Sequence, residues 1–117
     1  MNTIAERIYL FLKSKQINVF FPGQHKGHCE SPYVVVKQRN TDQVSSFSSN
    51  VTYFSLLCYV PDNSYSKAQE FADEIENIML EMQPEIMPTN SKDEPFHDED
   101  VNAYMISIMY RNYSKQK

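Results

Sequence analysis

The segment of this 117-residue chain richest in reactive side chains is His25-x-x-His28-Cys29-Glu30. Imidazole and thiolate are zinc ligands, and paired ligands a few residues apart commonly share a loop. Adjacent His28 and Cys29 are awkward donors to one tetrahedral ion, and no second ligand pair follows at a helix start. A polar surface loop is the simpler reading, and no metal is expected. Cys29 or Cys58 with a histidine would supply the parts of a nucleophilic pair. Neither cysteine has a local pattern that activates a thiol, and Cys58 lies among apolar residues, where cysteine behaves as a small hydrophobe. The run His97-Asp98-Glu99-Asp100 offers carboxylates without the spaced ligands and turn glycine of a calcium loop. It reads as a solvated acidic loop. With Gly23 and Gly27 as the only glycines, neither GxGxxG nor GxxxxGK[ST] is present. No catalytic residue and no cofactor is expected, and the chain does not read as an enzyme.

Composition narrows the partners. The net charge is -4 and the cations are scattered apart from Arg111, Lys115 and Lys117, whereas a protein that grips phosphates carries a basic stripe. The 8 tyrosines could in principle stack bases. Tyr53 and Tyr59 have no cations near them in sequence, and tyrosine is also enriched in protein interfaces, where the ring buries area. No apolar run approaches the ~20 residues a membrane helix needs, and the N-terminus lacks the order of a secretory signal. Two cysteines do not make a disulfide framework, so both thiols are expected free in a reducing cytosol. Hydrophobic content of 41% and charged content of 22% describe an ordinary globule, a single domain over residues 1–117.

The elements that must position these residues follow from periodicity. Thr3 and Glu6 form a capping-box pattern. Ile4, Ile8, Phe11 and Leu12 then fall on one stripe, predicting a helix from Thr3 to Lys15. A short strand is expected at Asn18 to Phe21 and another at Tyr33 to Arg39, where Val34, Val35 and Val36 favour extended backbone. The polar run Asn40 to Asn50 reads as a long hairpin connection, of a length that is often functional. A third strand covers Val51 to Val60. Asp62, Asn63 and Ser64 supply cap chemistry for a second helix from Tyr65 to Met82, ended by Pro84. Glu85 to Pro88 is a candidate short strand, Thr89 to Asp100 a polar loop, Val101 to Tyr110 the last strand and Asn112 to Lys117 a solvated tail. The expected fold class is α+β: a two-layer domain with two helices on one face of a largely antiparallel sheet of about four strands, in the order α-β-β-β-α-β.

Two of these strands are apolar on both faces. In the first, Thr52, Phe54, Leu56, Cys58 and Val60 point one way, and Val51, Tyr53, Leu57 and Tyr59 the other, with Ser55 among them. In the second, Tyr104, Ile106, Ile108 and Tyr110 share a face opposite Val101, Ala103, Met105 and Met109. Helices can cover one side of such a sheet, and a half-solvated sheet should be polar on its other side. Another protein surface is the natural cover.

The capped N-terminal helix, Pro32-Tyr33-Val34-Val35-Val36-Lys37, Leu57-Cys58-Tyr59-Val60-Pro61 running into a helix, and an acidic stretch followed by Val101-Asn102-Ala103-Tyr104-Met105-Ile106-Ser107-Ile108 resemble the small tail-terminator proteins of phages and prophages of Gram-positive bacteria. These are also called minor capsid, tail completion or tail-to-head joining proteins. The resemblance covers nearly the whole chain. It implies a structural virion protein assembled in the host bacterial cytoplasm and located in the tail-neck region. Copies would form a ring, typically a hexamer, on the head-proximal end of the tail tube, ending tube polymerisation and presenting a docking surface to the head-tail connector protein. DNA would pass through without specific binding. The partners implied are self, the tail tube protein and the connector. By element, Val44 and Phe47 in the Asn40–Asn50 loop would meet the tube or a neighbour, and Tyr53, Leu57 and Tyr59 would form a subunit interface.

Three other readings compete. A neck connector or stopper protein of the same particle has the same composition. A small dimeric bacterial regulatory or ligand-binding α+β domain needs a polar, convergent pocket. An enzyme would rest on Cys29 and the nearby histidines.

Overall fold

The computed structural model describes residues 3–24, 27, 29–43, 49–61, 65–92, 95–99 and 102–115. The elements run α1 (Ile4–Ser14), β1 (Val19–Phe20), β2 (Tyr33–Gln43), β3 (Ser49–Pro61), α2 (Tyr65–Met79), a 3-10 turn (Leu80–Met82), β4 (Met87–Lys92), β5 (Phe96–Asp98) and β6 (Ala103–Lys115). The fold is α+β, with one sheet in the order β1-β2-β3-β6-β4 and β5 added alongside β6.

Helix α1 starts where its cap chemistry dictates. The Thr3 hydroxyl accepts from the Glu6 amide at 3.1 Å, and Glu6 Oε1 accepts from the Thr3 amide at 3.3 Å. Ile8 and Leu12 carry the buried stripe. Helix α2 buries Ala68, Ala72, Ile75 and Met79. Both stripes join one core with Val34 and Val36 of β2, Phe54, Leu56, Cys58 and Val60 of β3, and Ile106, Ile108 and Tyr110 of β6. The two helices therefore lie on the same face of the sheet. Exposed ion pairs join neighbouring elements: Arg7 to Glu85 at 2.5 Å, Lys15 to Glu81 at 2.9 Å, and, from β4 to α2, Lys92 to Glu76 at 2.7 Å and Asp73 at 3.2 Å. Pairs this open to water stabilise little, and burial of the apolar stripes supplies most of the stability.

The sheet differs from expectation in four places. It has six strands rather than about four and is mixed, because β1 runs parallel to β2 through Val19↔Val34 and Phe20↔Val35. The expected loop Asn40–Asn50 is largely strand: β2 runs to Gln43, β3 begins at Ser49, and Gln43 pairs with Asn50 after a bulge between Gln38 and Thr41. The polar run Thr89–Asp100 carries most of β4 and all of β5, and the expected solvated tail continues β6 to Lys115 opposite Ser49. One cause underlies the last three. Ladder hydrogen bonds use backbone groups, so polar side chains extend a ribbon wherever a neighbouring strand offers paired amides and carbonyls. Asn112 in that tail is buried, with its side-chain amide donating to the Glu85 carbonyl at 2.9 Å. The hairpin joining β5 to β6 turns at Asn102, whose φ of 55° lies in the left-handed region that asparagine tolerates. The cap residues Asp62, Asn63 and Ser64 lie outside the described residues.

Candidate functional site

Side chains alternate across β3, and its register decides which set meets the helices. Leu56 pairs with Val36 and Ile108, and Cys58 with Val34 and Ile106, so the even-numbered residues face the helical layer. Tyr53, Ser55, Leu57 and Tyr59 are left on the opposite, open face. Pairing brings Tyr33, Val35 and Lys37 of β2 and Met105, Ser107 and Met109 of β6 onto that face beside them. Phe96 of β5 pairs with Met105, and its side chain is 52% exposed. Both β3 and β6 are interior strands, so neither doubly apolar strand is an edge.

One end of the open face has a small core of its own. Tyr33 stacks on Tyr59 with ring centroids 4.8 Å apart and planes 12° from parallel, and Phe20 meets Tyr33 edge-on at 5.5 Å. Cys29 and Ala103 are buried with them, and Val35 packs alongside. Such aromatic pairs contribute beyond their buried area, by about 0.5–1.5 kcal/mol each. Next to this cluster lies a cleft of about 250 Å³, lined by Phe21, Pro22, Tyr33, Val35, Leu57 and Tyr59 with Lys37 at its side. Small-molecule pockets usually enclose roughly 300–1,000 Å³, so this depression suits a side chain from a partner surface better than a whole ligand. Ser55, at the centre of the face, is fully buried, and its hydroxyl makes no hydrogen bond among the described residues.

The expected interface residues Tyr53, Leu57 and Tyr59 thus share one face, each partly buried. Val44 and Phe47 lie outside the described residues. Sequence reasoning did not single out Tyr33, Val35 and Phe96 for this face. The alternation Tyr33-Val35-Lys37 was visible, but which parity faced outward depended on pairing with β3. Of the segment His25-x-x-His28-Cys29-Glu30, His25 and His28 are outside the described residues, while Cys29 is buried and donates its thiol to the Ser31 carbonyl at 3.2 Å. Among the described residues no three His, Cys, Asp or Glu side chains come together to hold a metal. His97 and Asp98, expected in a solvated loop, lie instead in β5, with the His97 ring edge-on to Tyr104 at 5.4 Å. No helix among the described residues is long and apolar enough to cross a membrane.

The buried acids of this fold are held neutral. Burial pushes the Cys58 thiol far above its ordinary range, with Glu76 adding to the effect and Lys92 opposing it. Burial likewise raises the Tyr33 and Tyr110 phenols. A folded-state pKa above the unfolded value leaves stability intact below the unfolded pKa and erodes it above. Stability is therefore expected to hold at neutral pH, to begin falling above pH about 8.5, where an unfolded thiol ionises, and to fall further above about 10, where unfolded tyrosines do. Urea midpoints measured from pH 7 to 11 check this. At pH 7 iodoacetamide should modify Cys58 only after unfolding.

Comparison of the sequence with models of known protein families and with curated proteins gives no match to either.

Proposed function

We propose that the chain is a structural virion protein that caps the head-proximal end of a phage tail tube as a ring, ending tube growth and offering the head its docking surface. The observation that carries this reading is the open sheet face. Val35, Tyr53, Leu57, Tyr59, Met105 and Met109 share the side away from both helices, with Lys37, Ser107 and Arg111 among them. An apolar sheet face of this kind suits an interaction site. The tail-terminator resemblance of the Pro32–Lys37, Leu57–Pro61 and Val101–Ile108 segments supplies the kind of partner: neighbouring copies, the tail tube protein and the connector.

Gene order tests the reading at low cost. A head–tail connector gene upstream and a tail tube gene downstream are expected. An isolated gene within a metabolic operon would contradict it. A neck connector or stopper of the same particle is the nearest alternative, and binding to the tail tube protein rather than to a portal-adjacent adaptor separates the two.

A further inference from the structure

The register of the sheet sets one row of side chains across the open face. Tyr33 pairs with Tyr59, Tyr59 with Met105, and Met105 with Phe96, so the row crosses β2, β3, β6 and β5 in turn. Its two ends differ. At the β2 end Tyr33 and Tyr59 line the cleft of about 250 Å³ together with Phe21, Val35 and Leu57. At the β5 end Phe96 stands out of the surface, 52% exposed. The other large apolar side chains this exposed among the described residues are Leu10, Tyr65 and Leu80, which belong to α1, α2 and the 3-10 turn.

Cleft and ring match in size and chemistry. An apolar cavity of about 150 Å³ takes up a benzene ring, so the cleft has room for a phenyl group. Three strand spacings, about 14 Å, separate the β5 and β2 backbones. Phe96 is therefore too far away to fill the cleft of its own copy, and its exposure agrees with that.

The row is complementary to itself. A two-fold axis running along the strands between β3 and β6 exchanges its ends. With two open faces stacked at the usual sheet spacing of about 10 Å, that axis sets Phe96 of each copy over the cleft of the other. It also sets Met105 of each over Tyr59 of the other, and a thioether beside an aromatic ring is a favourable contact. Every contact then occurs twice, as an isologous interface requires. The row itself carries no charge. Lys37 borders the cleft beyond the end of β1 and is exposed, so its flexible stem can carry the ammonium to water.

We propose that two copies pair in solution through this two-fold contact, Phe96 of each seated in the cleft of the other. The pairing does not depend on the tube-capping role. It gives the open face a second occupant, so paired copies must separate before that face meets a tube or a neighbour in a ring.

Sedimentation velocity on the full chain over a range of concentrations tests the pairing. A monomer–dimer equilibrium is expected, and because apolar burial drives it, high salt should not weaken it. Phe96→Ala should leave the circular dichroism unchanged, since the ring is exposed in the monomer. It should weaken the dimer by about 30-fold or more for each of the two contacts. Leu10→Ala, a similarly exposed change on α1, should leave association as it was. Phe96→Trp places the chain's one tryptophan at the contact. Its emission should be that of an exposed indole in dilute solution and move to the blue as the dimer forms. A wild-type chain that stays monomeric up to millimolar concentration would overturn the pairing. So would a dimer that tolerates Phe96→Ala, or a tryptophan whose emission stays red while the chain associates. Tube capping is read by a separate experiment, so either idea can fail without the other.

Discussion

Leu57→Asp should abolish ring assembly on tail tubes while leaving the domain folded. Leu57 lies on the open face between Val35 and Ser107 in the register and lines the shallow cleft there. Lys37 lines the same cleft, but an ion pair carried out of water recovers only part of its desolvation cost, so an aspartate in a surface that becomes desolvated on assembly is still costly. A central interface position of this kind loses about 2 kcal/mol or more, roughly 30-fold in affinity per contact. A ring repeats that loss at every subunit junction. The monomer loses only partly buried area and some strand propensity, about 1 kcal/mol or less. Gel filtration and thermal melting on the same sample separate the two effects. A variant that fails to fold would place Leu57 in the domain core. One that assembles normally would remove the open face from the interface. Tyr59→Asp is a poorer probe, because it also breaks the ring stack on Tyr33 and so is expected to lower stability as well as assembly.

Phe54→Ala is expected to cost about 3–5 kcal/mol of folding stability. Phe54 is 1% exposed on the helix-facing side of β3, paired with Gln38 and Tyr110. Removing its ring leaves a cavity between the sheet and the helices that the surrounding side chains refill only in part. Domains of this size have about 5–15 kcal/mol in all, so the variant should sit near its unfolding transition at room temperature. Urea titration should show a lower midpoint with an unchanged slope. The neighbouring change Tyr53→Ala, on the open face, should cost far less. A larger loss from Tyr53→Ala than from Phe54→Ala would mean that β3 is shifted by one residue, which would exchange its two faces.

Particular residues explain what the sequence made legible. Thr3, Glu6 and the Ile4-Ile8-Leu12 stripe announce α1 because capping and helical periodicity are local properties. Strands β3 and β6 were visible because both their faces are apolar, and alternation alone put Tyr53, Leu57 and Tyr59 on one side. All of β5, β4 beyond the candidate strand Glu85–Pro88, and β6 beyond Tyr110 were hidden. Their residues are polar, and pairing with β6 or β3 is a long-range fact that no local pattern encodes. The same applies to the site. Tyr33 and Val35 join Leu57 and Tyr59 only through the antiparallel register, and the cover over Tyr33 comes from Cys29 in a segment that reads as a polar loop. The second face of the two apolar strands is covered within the chain at the Tyr33–Tyr59 end, and Ser55 and Val51 are buried on it as well. On the proposed reading, the partly buried Tyr53, Leu57 and Met109 beside them meet a partner.

Electron microscopy of the purified chain mixed with tubes of its tail tube protein addresses that partner most directly. Ring-shaped density at one end of each tube, with tube elongation halted, is the expected result. Bare tube ends and uninterrupted growth in excess protein would contradict the proposed capping role.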